Sequence, residues 1–125
     1  MAGITQVLST AEGFPKPPGD QPWSVVDIAG PSSYTQLTPA NPIVTGGQQI
    51  SGATLGLNTS VVFCCALGSD DGTYIVNVFL KAFNPGQPSY TGVVLQWITA
   101  ATGAEVAGAV NLSARTVRLL AIGRN

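Results

Sequence analysis

Every long apolar run in this chain has the length of a β-strand and ends at a glycine, proline or asparagine. Residues 59–67 (TSVVFCCAL) stop at Gly68, and residues 73–83 (TYIVNVFLKAF) stop at Asn84-Pro85. Residues 90–100 (YTGVVLQWITA) precede Thr102-Gly103, and residues 114–122 (ARTVRLLAI) run almost to the C-terminus. No window repeats apolar residues at i, i+3, i+4 and i+7, so a helix would have no coherent face to bury. The alanine-rich residues 100–110 hold at most a short helical turn. Shorter strands are expected at residues 33–38, 42–45 and 49–51, where Gly, Pro and Asn set the borders. Residues 59–67 and 73–83, joined by Gly68-Ser69-Asp70-Asp71-Gly72, read as the clearest hairpin. The expected fold is all-β: a small jelly-roll-like sandwich or barrel of about 7–8 strands, to which 15 Gly and 9 Pro supply the turns.

The strands are apolar on both sides. In residues 73–83 one parity carries Tyr74, Val76, Val78 and Leu80, and the other carries Ile75, Asn77, Phe79 and Lys81. A strand with one solvated face alternates cleanly, so this pattern calls for a central position or a second covering layer, here expected from another subunit. Composition argues the same way. Charged residues make up 9% of the chain against about a quarter in ordinary soluble domains. Thr, Ser, Asn, Gln and Gly carry most of the polarity, which suits a surface buried against partners.

Residues 1–24 differ from the rest. Phe14-Pro15-Lys16-Pro17-Pro18-Gly19-Asp20 forbids helix and favours extended backbone. The chain thus divides into an extended Pro-rich N-terminal arm, 1–24, and a β-sandwich or barrel domain, 25–125. Phe14 and Trp23 are the expected anchors of that arm on a neighbouring subunit, since tails without structure seldom hold two large aromatics so close to prolines. The first ten residues lack the charged and apolar regions of a secretory signal, and no run reaches the ~18 apolar residues of a membrane helix.

Catalytic and metal constellations are scarce. With no histidine and only the adjacent Cys64 and Cys65, neither a usual zinc site nor a disulfide framework is available. Neighbouring strand residues point to opposite faces, so the two thiols are expected reduced and packed. Asp70-Asp71-Gly72 carries paired carboxylates of the kind that bind Ca²⁺, but Asp-Gly at a loop tip is better explained by turn geometry. The six carboxylates are scattered and no spacing pairs two as general acid and base. A net charge of −1 gives no basic field for nucleic acid. No cofactor, no metal and no enzymatic activity are expected. Lys81, Arg115, Arg118 and Arg124 are four of the five cations, and Lys81, Arg115 and Arg118 are candidates to pair with carboxylates of a neighbouring subunit. Trp97 reads as core, whereas Trp23 and Tyr90 are candidate contact aromatics.

The order of parts resembles a bacteriophage family. A Pro-rich arm is followed by Ser60-Val61-Val62-Phe63, a turn, and Gly72-Thr73-Tyr74-Ile75-Val76-Asn77-Val78. Then come Val94-Leu95-Gln96-Trp97 and the terminal Thr116-Val117-Arg118-Leu119-Leu120. In this order they are similar to the head decoration, or cement, proteins of tailed bacteriophages. The resemblance implies a virion subunit, assembled in the host cytoplasm, that binds the major capsid protein and copies of itself, with a homotrimer favoured. It transfers no catalytic residues. The alternative is a tail-fibre module that binds a receptor or carbohydrate through Trp23 and Tyr90.

Overall fold

The computed structural model describes residues 5–10, 22–57, 60–81 and 90–123, the first of these segments by its backbone alone. Among them there is no helix. The strands are β1 (Thr5–Thr10), β2 (Trp23–Ala29), β3 (Gln48–Ser51), β4 (Val61–Ser69), β5 (Tyr74–Lys81), β6 (Gly92–Thr99) and β7 (Thr116–Gly123). One sheet runs β2-β7-β4 with β1 on the far side of β2, and the other runs β3-β6-β5. All pairings are antiparallel. Both sheets keep open edges, so the architecture is a sandwich and the barrel alternative falls. Pairing is nested: β2 meets β7, and inside that pair β3 meets β6.

Two expectations need correction. Residues 59–67 and 73–83 do form strands, but they are not a hairpin: β4 pairs with β7 and β5 with β6. The turn between them crosses from one sheet to the other. Cys64 and Ala66 of β4 pack on the same core as Val76 and Val78 of β5, and a chain that turns between facing layers buries both strands at once. The turn itself follows the sequence: Gly72 takes a left-handed φ of 77°, and Asp71 Oδ1 accepts from Thr73 N at 2.9 Å. Conversely, β2 begins at Trp23, a residue assigned above to the arm, and was not expected as a strand.

The second correction concerns residues 33–38 and 42–45, which are loops and not strands. Their backbone groups form no ladder: some close turns, as in Thr38 N to Asn41 O and Gly46 N to Pro42 O, and others make single bonds to distant loops, as in Tyr34 N to Val110 O and Leu37 N to Glu105 Oε2. This loop covers the outer side of the β3-β6-β5 sheet. Val94, on that side, is fully buried. Gln49 Nε2 donates to the carbonyls of Ile43 (2.9 Å) and Gly46 (2.6 Å), and Lys81 Nζ donates to Val44 O (3.3 Å). Gly47 (φ 65°) lies against Val94, where any side chain would collide with the valine methyl. Here the chain itself supplies the second layer that both-sided apolarity required. At the other end of the sheet the outer side stays open, and Ile75 is exposed.

Between the sheets lies one core built on Trp97, Tyr34, Ile28, Leu55, Leu95 and Leu119. Its polar atoms form a connected chain. Trp97 Nε1 donates to Gln48 Oε1 (2.9 Å), and Gln48 Nε2 donates to Ala29 O (2.8 Å). The Trp97 backbone N–H, beyond the end of β3, donates to Tyr34 Oη (3.1 Å), which in turn donates to Glu105 Oε2 (2.7 Å). Residues 100–110 begin with a single turn, closed by Gly103 N donating to Thr99 O at 2.8 Å, and continue as a loop that returns to pair Glu105 with Ile98.

Burial, and then the Glu105 carboxylate beside it, raise the Tyr34 phenol above its ordinary pKa. The sign follows. The unfolded phenol ionises near pH 10 and the folded one only higher, so its contribution is intact below about 10 and is lost as pH rises beyond it. Stability should therefore fall above pH ~10 by up to about 1.4 kcal/mol per pH unit, and the melting temperature with it. Tyr34→Phe should flatten that alkaline limb, which thermal scans from pH 8 to 11.5 will read.

Candidate assembly interface

Burial alternates along β2 as far as Ile28 and throughout β7: Ser24, Val26 and Ile28, with Val117, Leu119 and Ala121, face the core. The intervening residues therefore face outward, and strand register aligns them. Trp23 stands opposite Ile122, Val25 opposite Leu120, and Asp27 opposite Arg118. On the other side of β7, Phe63 stands opposite Ile122 and Cys65 opposite Leu120. The outer side of this sheet is thus two rows of apolar side chains, Trp23-Ile122-Phe63 and Val25-Leu120-Cys65, bounded by an ion pair. Phe63 is 47% and Trp23 38% exposed, values that belong to no core residue.

The bounding pair is bidentate: Arg118 Nε and Nη2 donate to Asp27 Oδ1 (2.8 Å) and Oδ2 (3.1 Å). These hydrogen bonds hold the Asp27 carboxyl below the usual range and raise the Arg118 guanidinium. Beside the pair, Leu67, Gly68, Ser69, Asp70 and Thr116 complete an open groove of about 340 Å³. Along the sheet edge, β4 carries neither charge nor proline, the usual guards of an exposed edge. It is guarded instead by two bulges, at Val62 and at Leu67, where the register with β7 shifts.

The candidate residues fall in different places. Trp23 lies on the outer patch. Arg118 borders it. Arg115 sits at the β4–β5 turn, where it pairs with Asp71 and lies 5.7 Å from the centre of the Tyr74 ring. Thr73 N, then Arg115, keep the Asp71 carboxyl low. The carboxylates that Arg115 and Arg118 meet thus belong to this same chain. Lys81 is 7% exposed and donates to Gln49 Oε1 and Val44 O inside the fold. Phe14 and Arg124 lie outside the described residues. Tyr90 is exposed and bridges to Val61, and Trp97 is fully buried, as expected of a core residue.

The sequence reading did not assign Val25, Phe63, Cys65, Leu120 and Ile122 to an interface. For Leu120 and Ile122 the signal was present: in residues 114–122 both parities are apolar apart from Thr116 and the arginines.

Cys64 and Cys65 are free thiols, as the strand geometry predicts. Burial pushes the Cys64 thiol up to about 12. At pH 8 only about 1 in 10⁴ Cys64 side chains is then a thiolate, and the thiolate is the reactive form. Iodoacetamide should leave Cys64 unmodified in the native protein and label it in urea, as peptide mass spectrometry will show.

Among the described residues no three His, Cys, Asp or Glu side chains converge as metal ligands. Asp27, Asp71 and Glu105 are each engaged by a different partner, Arg118, Arg115 and Tyr34. What the fold and its outer patch define is a two-sheet β-sandwich with an apolar, weakly charged outer side. Compared with protein-family models, with curated proteins and with solved structures, the chain shows no significant match.

Proposed function

We propose that this protein is a structural subunit of a larger assembly, a capsid cement or decoration protein that binds the major capsid protein and stabilises the shell. The observation that carries the reading is the outer side of the β2-β7-β4 sheet, where six apolar side chains stand in register with no charge among them. Contiguous apolar patches on a sheet face mark docking surfaces, because leaving them in water forfeits about 25 cal/mol for each Å² that a partner would cover. The sparse charge of the whole chain supports the same reading, since ions that must be desolvated at a joint weaken it. Nested pairing of β2 with β7 and of β3 with β6 is consistent with a jelly-roll-like winding. Such a rigid sandwich holds its docking rows fixed, and many copies on a symmetric shell add weak contacts into firm attachment.

The test is co-sedimentation of the purified chain with shells assembled from the major capsid protein of the source virus. Saturable binding at a fixed ratio per capsomer, with a raised shell melting temperature, is the expected result. Shells that neither bind the chain nor gain stability would overturn the reading.

A further inference from the structure

We infer that the outer side of the β2-β7-β4 sheet binds the same surface of a second copy, about a two-fold axis parallel to the strands and midway between β2 and β7. The inference deepens the structural-subunit reading and rests on it. The argument for a second copy is charge complementarity in register. Trp23 and Ile122, Val25 and Leu120, Asp27 and Arg118 are directly opposed pairs, one member on β2 and the other on β7. A dyad between the two strands exchanges their columns and keeps each height. It lays Trp23 over the second copy's Ile122, Val25 over its Leu120, and Asp27 over its Arg118.

Each contact then occurs twice, apolar on apolar and acid on base, which is the self-complementarity an isologous interface demands. Packing of aligned sheets at about 10 Å accommodates these side chains. The four charges form a closed alternating set in which each carboxylate sees two guanidinium groups. Edge-to-edge pairing through β4 is disfavoured by its bulges at Val62 and Leu67, which interrupt the ladder a second strand would need.

Charge exchange between molecules tests the dyad. Asp27→Arg makes both border columns positive, and Arg118→Asp makes both negative. Each single variant should dimerise at least tenfold more weakly than the parent by sedimentation velocity. An equimolar mixture of the two should recover a dimer to within about threefold, because opposite charges now meet across the axis. A role of the pair confined to its own chain predicts no recovery on mixing, and that result would overturn the inference.

The unaltered protein provides a second reading. Of its two tryptophans, Trp97 is 0% and Trp23 38% exposed, so acrylamide quenching reports Trp23. Quenching should fall as protein concentration rises into the dimer range. A monomer up to several hundred micromolar, a trimer, or a dimer whose Trp23 stays equally quenched would each overturn the dyad. A dimer covers this patch with a second copy and leaves the shell to the rest of the dimer surface, whereas failure to dimerise returns the patch to the shell; failure of shell binding instead removes the subunit reading.

Discussion

Replacing Trp97 by alanine should lower the stability of the fold by about 3–5 kcal/mol, the largest effect of any single change considered. Trp97 is fully buried in the middle of the core, packs edge-on against Tyr74 with ring centres 6.0 Å apart, and holds Gln48 through its indole N–H. The alanine variant loses the buried area, leaves a cavity, and removes the indole hydrogen bond to Gln48. Small β domains have total stabilities of the same order, so partial unfolding at room temperature is expected. Trp97→Phe keeps most of the volume and loses the donor, so its cost should be nearer 1–3 kcal/mol. Urea denaturation followed by far-UV circular dichroism measures both. A loss below about 1 kcal/mol for alanine would mean that the core is not organised around this residue.

The second large effect belongs to Glu105. Its Oε2 accepts from the buried Tyr34 hydroxyl at 2.7 Å and from Leu37 N at 2.8 Å, so one carboxylate fastens the loop after β2 to the return loop after β6. Glu105→Ala removes both acceptors. A buried hydroxyl without an acceptor costs about 1–3 kcal/mol, and the freed amide adds to it, so a total loss of about 2–4 kcal/mol is expected. Glu105→Gln retains an acceptor oxygen and should recover about half. Hydrogen exchange adds a structural readout: the Leu37 and Trp97 amides should lose protection in Glu105→Ala, while those at the centre of β7 should keep it. Equal loss everywhere would contradict a local clasp.

The two effects differ in how far they could be anticipated from residues alone. Trp97 was legible as core because it stands in an apolar run with Val93 and Leu95 on the same parity. Glu105 was legible only as one of six scattered carboxylates. Its role depends on Tyr34, 71 positions away, and no local pattern connects the two. The loop over the outer side of β6 illustrates the same distinction. Residues 33–38 and 42–45 have strand-like composition, but their hydrogen bonds go to neighbouring turns, to the loop after β6 and to side chains of β3 and β5, and the last two kinds exist only once the sheets are assembled.

The outer patch lies between these cases. Both-sided apolarity in residues 114–122 announced that β7 would need cover on two sides, and the core supplies it on one. Which residues share the uncovered side was decided by register. Trp23 enters the patch because it stands opposite Ile122, and Phe63 because it alternates with Cys64 and Ala66, which pack on the core, in an unbroken register with β7. The bulge at Val62 acts on the residue before it, letting Val61 turn to the core opposite Gly123.

The sequence by itself determined the class of the fold: runs of strand length, breakers between them, and no helical period. These are local properties, set by backbone sterics and by the alternation of side chains along an extended chain. Only the tertiary structure decided the partners. The turn Asp70-Asp71-Gly72 serves a hairpin and a crossing between sheets equally well, and β4 went to β7 and β5 to β6 because burial on a shared core selected among pairings that the turn left open. The same selection turned Arg118 and Asp27, 91 positions apart, into neighbours at the border of an apolar face.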